Sequence, residues 1–95
     1  MKHCILVKWN ALVSDKEVML QKISYIFGKL LSFNEIHDVK IHKNVINRSN
    51  RYDLLICIEM DKDFLTKYDE SEPHHEWKEK LEKYVENKAI FDYEE

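Results

Sequence analysis

The chain opens with a short segment of apolar, β-branched and aromatic residues over positions 3–9. In an extended conformation one face carries His3, Ile5, Val7 and Trp9, and the other carries Cys4 and Leu6. This composition predicts a β-strand. Ser14 and Glu17 then have the spacing of a capping box, in which a hydroxyl and a carboxylate satisfy the first free amides of a helix. The buried face of that helix is predicted to carry Met19, Leu20, Ile23, Ile26, Phe27, Leu30 and Leu31.

Two further strands are predicted in the middle of the chain. Apolar residues at 39 and 41 alternate with charged ones, which is typical of a half-exposed edge strand. Residues 44–50 contain three asparagines and predict a turn. Residues 52–60 form the strongest predicted strand, because one face is apolar throughout and the other is apolar in its middle.

Helical spacing returns before the last strand. A short helical segment is predicted over 61–68, and Ser71 and Pro73 end it and begin another, because proline is tolerated in a first turn. Residues 89–93 predict the closing strand. The order β-α-β-β-α-β predicts an α+β, ferredoxin-like sandwich, a four-stranded antiparallel sheet with both helices on one face.

The other face of the predicted sheet is left open. It is expected to carry Cys4, Leu6, Leu55 and Cys57. A contiguous apolar patch of this kind marks an interface. The pattern therefore predicts a homodimer packed sheet against sheet, a dimeric α/β barrel.

Length and charge narrow the class of protein. The 95 residues are predicted to form one domain, 1–95, and the net charge is −3 with the basic residues scattered, which argues against a nucleic-acid partner. The apolar runs are too short to cross a membrane. The first eight residues have no secretory signal pattern, so a cytoplasmic location is expected, with both cysteines reduced.

Four segments in order carry a family resemblance. They are the opening strand at 2–9, the tyrosine-led strand at 52–60, Leu65 and Tyr68 followed by Pro73-His74-His75, and the closing Ile90-Phe91-Asp92-Tyr93. Together they resemble the stress-responsive A/B barrel (Dabb) family over nearly the whole length. The resemblance implies a ferredoxin-like chain that dimerises through its sheet.

The resemblance also implies site residues. It makes His75 the acid/base group, Tyr68 a group that binds a carbonyl, and His3 part of the same pocket. The sequence departs from the family where Glu72 replaces the first histidine of the His-Pro-x-His motif, and Tyr68 lies one residue further from Pro73. The pocket between sheet and helices is expected to be lined by Ile5, Val7, Phe27, Leu54, Ile56 and Trp77.

Without the resemblance, the same residues have simpler interpretations. His75 lies in a polar helical turn, and His74 is about 100° away around the helix, so only one of the two faces inward; His74 is expected to be solvated. Tyr68 lies at helical spacing, as an aromatic residue packed in the core does. His3 lies at the end of an apolar strand face, which is typical of a hydrogen-bonded histidine in the core or at its rim. The histidines lack zinc-ligand spacing, and no metal is predicted.

The sequence leaves the function open between classes. One hypothesis is a dimer that binds a small carbonyl or polyketide-like molecule; any catalysis would be cyclase- or lyase-like acid–base chemistry without a cofactor. The alternative is a non-enzymatic stress-response or partner-binding module with a collapsed pocket. Cofactor-free oxygenase chemistry is a third hypothesis, which no particular residue supports.

Overall fold

Four strands and three α-helices follow one another in the predicted order. The computed structural model describes residues 1–95. The elements are β1 Lys2–Trp9, α1 Lys16–Gly28, β2 Ile36–Lys43, β3 Leu54–Met60, α2 Leu65–Asp69, α3 Glu72–Leu81 and β4 Val85–Tyr93. No helix has both the length and the apolar character needed to cross a bilayer.

The strands form one antiparallel sheet in the order β2-β3-β1-β4. β1 is central, and its Ile5 pairs with Ile56 of β3 on one side and with Ile90 of β4 on the other. This order is that of a ferredoxin-like sheet, so the α+β prediction is confirmed. His3, at the start of β1, lies opposite Asp92 of β4.

The helices pack on one face of the sheet and enclose a single apolar core. The aromatic rings of Phe27 and Trp77 are 5.9 Å apart between centroids and join α1 to α3. The six residues predicted to line a ligand pocket are all buried in this core: Ile5, Val7, Phe27, Leu54, Ile56 and Trp77. They pack against one another, as side chains in protein interiors do.

The starts of α1 and β4 differ from the prediction. Asp15, and not Ser14, caps α1, and its carboxylate accepts from Glu17 N at 3.0 Å and Val18 N at 3.3 Å. Aspartate caps a helix as well as serine does, so the two adjacent residues compete for the position. β4 begins at Val85, four residues earlier than predicted, because it pairs with β1 as far as Trp9.

The sheet face away from the helices is apolar in its centre. Its middle is formed by the cross-strand pairs Cys4 with Cys57 and Leu6 with Leu55, all four of them half-buried. The Sγ atoms of Cys4 and Cys57 are 3.7 Å apart and are not joined by a disulfide bond. Burial raises the pKa of the Cys4 thiol to about 11. On the neighbouring β4, Phe91 is paired with Cys4 and is 68% exposed. We call this surface the outer sheet face.

Candidate functional site

His3 lies on the helix side of the sheet and is 5% exposed. Its Nδ1 forms a short contact with a carboxylate oxygen of Asp92, which faces it from β4. A carboxylate that accepts the Nδ1 proton fixes the tautomer of a neutral histidine and leaves Nε2 able to accept a proton. The strand register therefore gives His3 a defined orientation.

Tyr68, in α2, is 1% exposed and lies between two histidine rings. Its ring centroid is 5.2 Å from that of His3 and 5.0 Å from that of His74, both in edge-on geometry. Its hydroxyl is buried and has no hydrogen-bond partner in the protein. Burial raises the pKa of Tyr68 above its ordinary value, so the hydroxyl remains a donor at neutral pH.

Ser71 joins the two helices that carry Tyr68 and His74. Its hydroxyl donates to the Tyr68 carbonyl at 2.6 Å and accepts from the His74 amide at 3.4 Å, which caps α3. Ser71 is itself 7% exposed, so this connection is built into the interior. One buried serine thus fixes the end of α2 and the start of α3, and with them the Tyr68–His74 contact.

His74 is half-buried, and its Nδ1 is shielded from solvent without a hydrogen-bond partner. Burial lowers the pKa of His74 below 6.5, against the opposing attraction of the Asp69 carboxylate. A neutral imidazole at pH 7 can accept or relay a proton. These are the properties that the family resemblance led us to expect of His75.

His75 lies on the exposed side of α3, with its ring centroid 6.4 Å from that of His74. The expectation that His74 is solvated is wrong, because His74 is the histidine that contacts Tyr68. The helix phase explains this placement: residue 74 precedes the buried Trp77 by three positions and the buried Leu81 by seven, so all three share one face.

Asp92 is the site residue that sequence reasoning missed. Asp92 is paired with the buried His3, and Ile90 with the buried Ile5, so both lie on the helix side of the sheet. The pairing with His3 depends on the register between β1 and β4, which no local pattern encodes. No group of three or more His, Cys, Asp or Glu side chains has the geometry of a metal site.

The protonation of His74 is expected to couple stability to pH. Because the pKa of His74 is lowered in the fold, the unfolded chain binds more protons over the interval between the folded pKa and 6.5. The contribution of the neutral His74 ring to the free energy of unfolding is fully present above pH 6.5. It is lost as the pH falls through the pKa that His74 has in the folded protein. A titration of the His74 ring by NMR checks the sign, and a midpoint at or above 6.5 would contradict it.

No family model matches the chain, and no curated protein matches it. Solved structures do match. A dimeric ferredoxin-like protein of unknown function from Thermobifida fusca superposes with a TM-score of 0.81 at 16% identity, covering 97% of this chain and 87% of the other. A Dabb family protein from Mesorhizobium loti has a TM-score of 0.73 at 13% identity, covering 99% and 94%. The chain has the fold of the Dabb proteins.

The same fold also occurs in an enzyme. A hydroxynitrile lyase from Passiflora edulis matches with a TM-score of 0.76 at 14% identity, covering 97% of this chain and 89% of the other. At these identities the likeness concerns the fold alone. The predicted similarity to Dabb chains is thereby confirmed as a similarity of architecture.

Proposed function

We propose that the protein is a homodimer that binds a small organic carbonyl or polyketide-like compound at Tyr68, with His3 and His74 on either side. The observation that carries the proposal is the Tyr68 hydroxyl, which is buried without a partner between two histidine rings. Leaving a buried donor unsatisfied is unfavourable. A carbonyl oxygen bound there supplies the missing acceptor.

The three side chains suit acid–base chemistry on such a compound, without a cofactor. A neutral histidine removes a proton from the carbon next to the carbonyl, and the electron pair moves to the oxygen as an enolate. The Tyr68 hydroxyl donates a hydrogen bond to that oxygen as its charge develops. Returning the proton from the same histidine restores the ketone; alternatively, the enolate carbon forms a bond to a second carbonyl carbon, and the alkoxide formed on that carbonyl's oxygen takes the proton from the histidine. We assign the proton transfer to His74, with His75 as the competing candidate and His3 as a second binding group.

Homodimer formation is supported by the outer sheet face. Its centre, around Leu6 and Leu55, is apolar, and Phe91 is 68% exposed beside it. An exposed apolar patch of this kind on a small domain marks a surface that binds another molecule. The unbridged thiols of Cys4 and Cys57 suit a reducing compartment, which supports a cytoplasmic location.

A second candidate function is a stress-response or partner-binding module without chemistry. The observation in its favour is that the space between the sheet and the helices is closed. Tyr68 is 1% exposed, and the side chains of the predicted pocket residues fill this space. Under this alternative the unsatisfied Tyr68 hydroxyl has no ligand. The first candidate instead requires α2 and α3 to separate from the sheet, so that the six pocket residues line the opened space.

Acetophenone, a small aromatic ketone, tests the proposed site. Calorimetric titration is expected to show binding to the protein, and Tyr68→Phe is expected to weaken it at least about tenfold, because the variant removes one buried hydrogen bond. Tyr25→Phe is the matched control, since Tyr25 is 70% exposed on α1. Equal binding by both variants would contradict the site, and no binding by the unaltered protein would favour the non-enzymatic module.

A further inference from the structure

A cavity lies at the opposite end of β1 from His3. It has a volume of about 630 Å³ and is enclosed by the end of β1, the first turn of α1 and the loop between β2 and β3 at 44–53. Trp9 lines it, six residues along the strand from His3. At about 3.3 Å per residue the two positions are about 20 Å apart. The cavity is therefore separate from the Tyr68 site.

Positive charge dominates the walls of this cavity. Five basic side chains line it, against two acidic ones, in a protein whose net charge is −3. Both carboxylates are already paired: Glu17 accepts from Lys43 at 2.7 Å, and Asp53 accepts from Lys16 at 2.8 Å. Of the other three basic residues at the cavity, Lys8 lies 3.6 Å from the Glu86 carboxylate, and the remaining two are Arg48 and Arg51.

The two guanidinium groups have no carboxylate partner. Neither Arg48 nor Arg51 forms a salt bridge, and the Arg51 guanidinium donates only to the side-chain amide oxygen of its neighbour Asn50, at 2.7 Å. Guanidinium groups are the side chains best matched to carboxylates and phosphates, which they bind through two parallel hydrogen bonds. An anion in the cavity would complete their pairing.

The remaining wall is apolar and aromatic. Trp9 is 5% exposed, and its indole Nε1 is buried without a hydrogen-bond acceptor. Above it, the loop holds Val45 85% exposed and Ile46 47% exposed at the edge of the cavity. Exposed apolar side chains next to cationic ones fit a ligand that has both a charged group and an apolar body.

The loop is held in place by hydrogen bonds, so the cavity exists before any ligand binds. The Asn44 amide donates to the Asp53 carbonyl at 2.9 Å, and the Asn44 side chain donates to the Tyr52 carbonyl at 2.8 Å. Lys8 reaches across from β1 and donates to the Ser49 carbonyl at 2.6 Å. A site that is organised in advance loses less entropy on binding.

We propose that this cavity binds a small organic anion, a carboxylate or phosphate ester with an apolar group. Arg48 and Arg51 bind the charged group, and the indole of Trp9 packs against the apolar part. The site is independent of the carbonyl-binding site at Tyr68.

Two-dimensional ¹H–¹⁵N NMR tests the proposal, because the protein has two tryptophans and therefore two indole N–H signals. Benzoate and phenyl phosphate serve as anionic probes and benzamide as the neutral one. We expect at least one anion to move the Trp9 signal saturably, while Trp77, buried in the core, does not respond. The probe that binds more tightly distinguishes a carboxylate from a phosphate ligand. Benzamide is expected to bind at least about tenfold more weakly than that anion.

Two double variants with equal loss of charge complete the test. Arg48→Gln with Arg51→Gln is expected to weaken anion binding at least about tenfold. Lys22→Gln with Lys67→Gln removes two exposed charges that do not line the cavity and is expected to bind as the unaltered protein does. The proposal is overturned if neither anion moves the Trp9 signal, if benzamide binds equally well, or if the two double variants behave alike.

Discussion

Replacing Leu6 by lysine is expected to convert the proposed dimer into monomers. Leu6 lies in β1 at the centre of the outer sheet face, opposite Leu55. In a symmetric dimer each copy of the variant places an ammonium group in the apolar contact, so the contact buries two positive charges. Burying two unpaired charges costs several kcal/mol, so the dissociation constant is expected to rise at least about a thousandfold.

Sedimentation at several protein concentrations measures this change. Leu31→Lys is the matched control, because Leu31 is 55% exposed in the short turn of helix after α1 and is remote from the outer sheet face. It is expected to sediment as the unaltered protein does, and circular dichroism confirms that both variants fold. If Leu6→Lys leaves the dissociation constant unchanged, the protein does not dimerise through this face.

Replacing His74 by alanine is expected to abolish proton exchange on a bound ketone. In D₂O, a histidine that removes a methyl proton of acetophenone returns a deuteron from its exchanged ring nitrogen, so the ketone gains mass one unit at a time. A positioned general base contributes about 10²–10⁴-fold to such a rate. His74→Ala is expected to lose this factor and to exchange at the rate of buffer alone.

His75→Ala is the companion variant, because the two histidines are adjacent and differ in the direction they face. We expect it to retain exchange, since His75 is exposed on α3 whereas His74 contacts Tyr68. Mass spectrometry of the recovered ketone measures the rate for each. If His75→Ala loses exchange and His74→Ala keeps it, the role that the family resemblance implies for His75 is correct and the assignment to His74 is wrong.

The apolar pattern, together with the cap and turn residues, was sufficient to predict the order of the elements. The predicted strand over residues 3–9 matches β1 except for its first residue, and the order β-α-β-β-α-β is that of the ferredoxin-like sandwich. The start of α1 was misplaced by one residue, because Ser14 and Asp15 are both good caps and the choice depends on tertiary contacts.

The candidate site was less predictable for two physical reasons. The choice between His74 and His75 depends on helix phase, and the spacing from His74 to Trp77 and Leu81 already carried that information. The Asp92–His3 pair depends on strand register, a long-range property that the pairing of β4 with β1 decides. Residue patterning could not separate side chains that line a pocket from side chains that fill it, because both kinds are apolar and inward-facing.

A crystal structure of the protein grown with acetophenone tests the central claim most directly. The account predicts that the carbonyl oxygen lies within hydrogen-bond distance of the Tyr68 hydroxyl, with His3 and His74 on either side, in a dimer joined through the outer sheet faces. A structure in which Tyr68 stays closed against both histidines, with the ketone absent or bound elsewhere, would contradict it.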